Sequence, residues 1–306
     1  MSGQSSSKKS ILFAFAANIG IAITKTVAAV ITGSGAMLAE AIHSYADSGN
    51  QVLLFAGLRA ARKKPTQTYP LGYGKSVFFW SFVVALILFS VGGLFSVYEG
   101  IHKLNSHNGV SSPLIAIVVL SISILLEAAS LYGCITQIRK VKRKNENLLQ
   151  WFKHSRQSEL VVVLGEDVAA LLGLLFALIA VLLTMLTGNP VYDAAGSIGI
   201  GALLIIVSIF LAVKIKGLLI GQSADEKTVL EIKEFIESRH EVDTLMNIIT
   251  FQLGPDIMVA VKARMKETQS ASVLIDHINL CEREIKKNFP DVKWMFFEPD
   301  IADSKN

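Results

Sequence analysis

Six apolar runs, at 10–32, 36–58, 77–101, 112–138, 159–186 and 191–216, dominate the chain up to residue 216. About 20 mostly apolar residues suffice to cross a bilayer as a helix, so the pattern predicts a six-transmembrane-helix bundle. Beyond "KGLLIGQSADEK" the periodicity becomes that of a water-soluble domain. "DEKTVLEIKEFIESR" sets apolar residues at helical spacing, and its acidic start suits the positive end of a helix dipole. "LMNIITFQLG" and "IMVAVKARM" read as two strands turning at "GPD", "SASVLIDHINLCEREIKKNF" as a second helix and "VKWMFFEP" as a third strand. The order αββαβ predicts a small α+β domain with its helices on one sheet face. The expected fold class is thus an α-helical membrane protein: a tail over 1–9, a transmembrane domain over 10–220 and a cytoplasmic α+β domain over 221–306.

Charge alternates between the connections. "RAARKKPTQTYPLGYGK" carries Arg59, Arg62, Lys63, Lys64 and Lys75. "RKVKRKNENLLQWFKHSR" carries Arg139, Lys140, Lys142, Arg143, Lys144, Lys153 and Arg156. The opposite connections, "TGSGA", "HKLNSHNGVSS" and "TGNP", hold a single lysine, Lys103. The positive-inside rule therefore places both basic loops, the N-terminus and everything after residue 216 in the cytoplasm. The opening "MSGQSSSKKSILFAFAANIG" has the outline of a signal peptide, but its apolar run continues to about Ile31 and reads as a retained first helix. It lacks an Arg-rich transit-type extension, which makes a bacterial inner (cell) membrane the expected location.

Composition agrees with the membrane reading. The chain has 306 residues, 52% apolar and 18% charged, with mean hydropathy +0.49; soluble domains are nearer about 25% charged. A net charge of +4 is too small to argue for nucleic acid as a partner. Cys134 and Cys281 lie far apart without CxxC spacing, which suggests neither a disulfide framework nor a thiolate metal site.

Against this apolar background a few polar residues stand out. Lys25 lies in the first helix, Glu40, His43 and Asp47 in the second, Glu127 in the fourth, and Glu166 and Asp167 in the fifth. A charge at bilayer depth costs roughly 2.5–3.5 kcal/mol on insertion scales, and such residues usually mark a pathway or a site. Glu40, His43 and Asp47 fall at i, i+3 and i+7, on one helical face. Imidazole with carboxylates suits a borderline divalent cation such as zinc. His43 and Asp47 can supply two ligands from one helix, and Asp167 can close the site from another. Glu166 is open to three roles: ligand, proton acceptor or partner of a lysine. Glu40 and Glu127 suit helix-to-helix hydrogen bonds or a proton relay, Lys25 a counter-charge, and Asn18 and Asn50 uncharged ligands or donors.

These residues carry a resemblance. The six helices, "AEAIHSYADSGNQ", "VVVLGEDVAALLG", "TGNPVYDAAGSIGIGALL" and the terminal αββαβ domain resemble the cation diffusion facilitator family of metal exporters, over about residues 10–300. Within it they look closest to the zinc transporter 9 branch. The resemblance implies a tetrahedral ion, often zinc, held by two residues four apart on helix two and two residues four apart on helix five. Carried over, these are His43 and Asp47, then Val163 and Asp167. Val163 departs from that pattern, so three standard ligands survive. Glu166 is the replacement candidate, with Asn50 or water behind it, and Glu127 and Glu40 follow as less favoured ligands. Tyr69 and Tyr73 stand where family members place His and Asp for a second zinc. The terminal "WMFFEPD" offers only Glu298 and Asp300, and His240 and His277 are expected on the surface, so no regulatory metal cluster is expected there.

The family exchanges metal for protons by alternating access. The implied function is therefore proton-coupled efflux of a divalent cation, zinc first, with no resident cofactor and no chemistry on the substrate. Small residues in helix six such as Ala195 and Gly199 would permit the close packing that this movement needs. A homodimer held by the terminal domain is expected, with divalent ions, protons and the lipid bilayer as partners. Two alternatives stay open: a transporter of manganese, cobalt or iron, and a membrane sensor or scaffold that binds metal without moving it. A membrane metalloenzyme is disfavoured, because no HExxH motif is present.

Overall fold

The computed structural model describes the backbone of residues 3–106, 110–143 and 146–302, with side chains from residue 18 onward apart from Ser106. The very start of the N-terminal tail, part of the connection after Lys103, Lys144 of the second basic loop and the last four residues lie outside the described residues. Helices α1 (Gly3–Thr32) and α2 (Gly35–Ala61) come first. Next follow α3 (Ser76–Ile87), a π-helical segment (Leu88–Leu94) and α4 (Phe95–Ser106), which together form one continuous rod. α5 (Pro113–Val141), a short α6 (Leu148–His154), α7 (Ser158–Thr187) and α8 (Val191–Ile220) complete the apolar part.

Ser76–Asn105, Pro113–Val141, Ser158–Thr187 and Val191–Ile220 are each long and apolar enough to cross a membrane, and Asn18–Thr32 of α1 is a shorter apolar stretch. α2 is not among them, its polar residues lowering its hydropathy. Large apolar side chains point outward along these helices: Leu114 and Leu125 of α5 and Ile206 and Val213 of α8 are well over half exposed. An apolar exterior on that scale suits hydrocarbon rather than water. The chain is a multi-pass membrane protein.

The helices follow the sequence pattern closely, with four instructive differences. α1 begins at Gly3 rather than near residue 10, because a polar stretch can extend a helix past the point where apolar residues stop. α6 forms inside the second basic loop, started by a capping box in which Asn147 and Gln150 each accept from the other's backbone N–H. Within the third rod the Phe95 N–H reaches back to the Ser90 carbonyl, the wider i→i−5 turn. Finally, close packing in α8 does not fall on Ala195, which is exposed, or on Gly199, which has nothing near its missing side chain. It falls one face over: Gly201 lies against the backbone of Gly93 and Val97, and Ala194 against Gly100. Only small residues allow two helical backbones that near.

The start of α2 is held by another helix. Asp193, in the first turn of α8 and 2% exposed, accepts from the Gly35 N–H at 2.6 Å and the Ser34 hydroxyl at 2.5 Å. A carboxylate at a helix N-terminus satisfies orphan amides and suits the dipole. Lys103 donates to the Gly33 carbonyl at the same turn.

A second compact unit comprises Leu58–Phe79, Asn147–Ser158 and Lys216–Asn306. In it α9 (Glu226–Glu237), β1 (Val242–Leu253), β2 (Asp256–Met265), α10 (Ala271–Asn288) and β3 (Val292–Pro299) give the αββαβ order. The sheet order is β1-β2-β3, antiparallel between the first pair and parallel between the second, where α10 makes the crossover. β2 is central and alternates strictly: Ile257, Val259, Val261 and Ala263 enter the core with Ile232 and Ile236 of α9 and Cys281 and Ile285 of α10. Within this unit Lys75 donates to the Leu219 carbonyl at 3.2 Å, with its ammonium 4.4 Å from the Phe251 ring centre.

Candidate metal centre

α2 sets the polar face. Its residues Glu40, His43, Asp47 and Asn50 recur every three or four positions, so one stripe of the helix carries all of them inward. Glu40 and Asn50 are fully buried and His43 is 1% exposed. His43 Nε2 and Asp47 Oδ2 stand 3.4 Å apart. From α7, Glu166 accepts a hydrogen bond from Asn50 Nδ2 at 2.6 Å. Asp167, next along α7, accepts from Ser130 of α5 at 3.5 Å.

Some of these groups line a cavity of about 70 Å³. Asp47 of α2, Glu127 of α5, and Glu166 and Asp167 of α7 line it, so three helices deliver four carboxylates to one space. Lys25 of α1 lines it too. Val163 lies on the same wall, one helical turn before Asp167, and offers no donor atom. His43 is not part of that lining; it borders the cavity only through Asp47. Among the described residues, no three His, Cys, Asp or Glu side chains converge closely enough to share an ion.

Several buried polar atoms in this region have no hydrogen-bond partner: both ring nitrogens of His43, Asp47 Oδ1, Asn50 Oδ1 and Glu40 Oε1. Buried polar atoms are nearly always paired, so a cluster of unpaired polar atoms fits a group that the protein chain itself does not supply. Imidazole nitrogen and carboxylate and amide oxygens form the donor set of a borderline or hard divalent cation.

Glu40 differs from the others. Its Oε2 accepts from Lys25 at 3.3 Å, and Lys25 also donates to Ser44 Oγ at 2.8 Å. The counter-charge role read for Lys25 thus falls to Glu40. Sequence reasoning missed Ser44, Ser130 and Gly173. Ser44 and Ser130 share faces with Glu40 and Glu127 at i+4 and i+3, a spacing that could have flagged them. Gly173 was legible only as an isolated glycine inside a helix. In space, a β-carbon there would stand 2.6 Å from Glu40 Oε1.

Outside the membrane part, Glu298 and Asp300 pair with Lys262 at 3.6 and 2.7 Å. His240 is exposed and His277 half-buried. The Tyr69 and Tyr73 rings pack at a 45° tilt with centres 4.6 Å apart.

The sequence profile of the cation efflux transmembrane domain matches residues 11–220. The chain belongs to the cation efflux family. Its relatives in the family include the mitochondrial proton-coupled zinc antiporter SLC30A9 of Xenopus laevis, 37% identical over 231 residues, or 75% of this chain and 41% of that protein. Metal tolerance protein C4 of Arabidopsis thaliana is 34% identical over 227 residues, or 73% of this chain and 49% of that protein. The magnetosome protein MamB of Magnetospira sp. is 26% identical over 249 residues, or 81% of this chain and 79% of that protein. This family member spans less than half the length of the first two.

Proposed function

We propose that this chain is a proton-coupled efflux transporter of a divalent metal cation, zinc first, working by alternating access. The observation that carries the reading is the shared cavity. Asp47, Glu127, Glu166 and Asp167 line one cavity in an apolar bundle, beside unpaired polar atoms on His43, Asp47 and Asn50. Carboxylates gathered without a cation repel one another in a low dielectric, and a divalent ion offsets that cost. His43, Asp47 and Asp167 are the proposed ligands. Glu166 is the proposed fourth, standing in for the donor that Val163 does not provide. Glu127, Asn50 and Glu40 rank behind them, Glu40 last because Lys25 already engages it.

Ligands must be deprotonated to bind metal, so a proton arriving at His43 or at a carboxylate loosens the ion, and the ion's arrival expels the proton. That linkage is the proposed basis of exchange, with no chemical change in the substrate and no resident cofactor. Zinc is favoured over manganese, cobalt or iron by relatives named as zinc antiporters. The basic loops after α2 and α5 support placing both termini on the cytoplasmic side. A bacterial inner membrane is the proposed location. A homodimer through the terminal domain is supported by an apolar row on the sheet face away from the helices: Ile249, Ala260 and Phe296 stand in register, with Ile249 and Phe296 more than half exposed.

Flux of radioactive zinc into proteoliposomes, with and without a pH gradient, tests the reading. Gradient-dependent uptake supports it. Tight binding without flux would favour a sensor or scaffold instead.

A further inference from the structure

Lys25 is the group that a metal site leaves unexplained. It is among the largest fully buried side chains of the protein, an ammonium 1% exposed on the wall of a cavity proposed to receive a cation. A fixed positive charge there opposes the cargo. Yet Lys25 is held away from the four carboxylates by two anchors on α2, Ser44 Oγ at 2.8 Å and Glu40 Oε2 at 3.3 Å. Glu40 is wholly buried. Its place depends on Gly173 of α7, which leaves room for Oε1 where a β-carbon would collide with it.

We infer that Lys25 is a tethered counter-cation of the site, and that Glu40 is a positioning residue that sets metal affinity by holding that ammonium off Asp47, Glu127, Glu166 and Asp167. The inference rests on the reading of this cavity as the metal site. A lysine is a compact charge on a flexible four-carbon stem, so it swings when an anchor is lost. Freed from Glu40, it turns toward the carboxylates that share its cavity and competes with the incoming ion.

Calorimetric zinc titration of the full chain in detergent tests this with four variants. Glu40→Gln should weaken binding by about 10–100-fold, the range typical of lost supporting partners. Lys25→Met combined with Glu40→Gln removes the competitor along with its anchor, and should bring affinity back to within about threefold of wild type. Ser44→Ala, losing only the weaker anchor, should cost about threefold. A purely structural pair predicts the opposite order, with the double variant at least as impaired as Glu40→Gln. That order overturns the inference, as does wild-type affinity in Glu40→Gln. Should the charge variants fail to run as folded protein on size exclusion, Ser44→Ala decides, and an unchanged affinity there overturns it. Asp47→Ala tests the underlying site separately: wild-type zinc binding in that variant sinks the metal site itself, whatever Lys25 does.

Discussion

Asn50 of α2 donates to Glu166 of α7 across 2.6 Å, while its own Oδ1 remains buried and unpaired. The bond ties the two helices that carry the proposed ligands and fixes one oxygen of the carboxylate proposed to replace the donor absent at Val163. Glu166→Gln removes a charge as well as a strong donor, and should lower zinc affinity by about tenfold or more in calorimetry. Val163→His in that background should recover part of the loss, because residue 163 shares the cavity wall with Asp167. Unchanged binding together with a flattened pH dependence of transport would assign Glu166 to proton transfer instead.

Asp47→Ala and Asp167→Ala should each abolish zinc flux in proteoliposomes without loss of folded protein. Neither carboxylate is held by a strong ion pair: Asp47 faces His43 at 3.4 Å and Asp167 meets Ser130 at 3.5 Å. Each also sits among like charges, so its removal relieves repulsion. Near-wild-type flux in either variant would rule out a site shared between α2 and α7.

Gly173→Ala probes the close approach of α7 to Glu40. Alanine gains about 1 kcal/mol in helix propensity, but overpacking a closed site costs about 1–3 kcal/mol. The new carbon, 2.6 Å from Glu40 Oε1, meets the end of a fully buried side chain that Lys25 already holds, so the melting temperature in detergent should fall. Glu40→Asp, one methylene shorter, should restore it. A Gly173→Ala protein as stable as wild type would show that the helices part freely at this point.

Asp300 gives a pH-dependent prediction outside the membrane. Its hydrogen bond from Lys262 at 2.7 Å holds its carboxyl down at about 2, below the ordinary 3.8. A depressed carboxyl stabilises the fold above its unfolded value and loses that contribution as pH falls through the folded one. Wild type and Asp300→Asn should therefore differ in melting temperature at pH 6 and converge between about pH 4 and pH 2. A constant gap across that window would disprove the pairing.

Most of the architecture was legible because burial imposes a period. The six apolar runs and the alternation in "IMVAVKARM" each report a face that must leave water, and the helices and strands follow within a few residues. The π-helical segment was not legible, since Gly92 and Gly93 carry no side chain to register a change of turn. Ala195 and Gly199 show the related limit: composition reveals that a helix has small residues, but only rotation about its axis decides which of them meet a neighbour. In the site, same-helix relations such as His43 with Asp47 followed from spacing alone. Asn50 with Glu166, and Lys25 with Glu40, join residues 116 and 15 positions apart, and no local pattern encodes such pairs.

The clasp of Asp193 on the first amides of α2 gives that helix a fulcrum. A helix rises about 1.5 Å per residue, so His43 stands about 12 Å and Asp47 about 18 Å along the lever from Gly35. A rigid tilt of about 10° leaves the clasped end where it is, yet carries His43 sideways by about 2 Å and Asp47 by about 3 Å. Displacements of that size are comparable to a metal–ligand bond, about 2.0–2.3 Å. On the proposed reading of the site, a single pinned end would convert a modest rocking of α2 into the making or breaking of coordination at its middle.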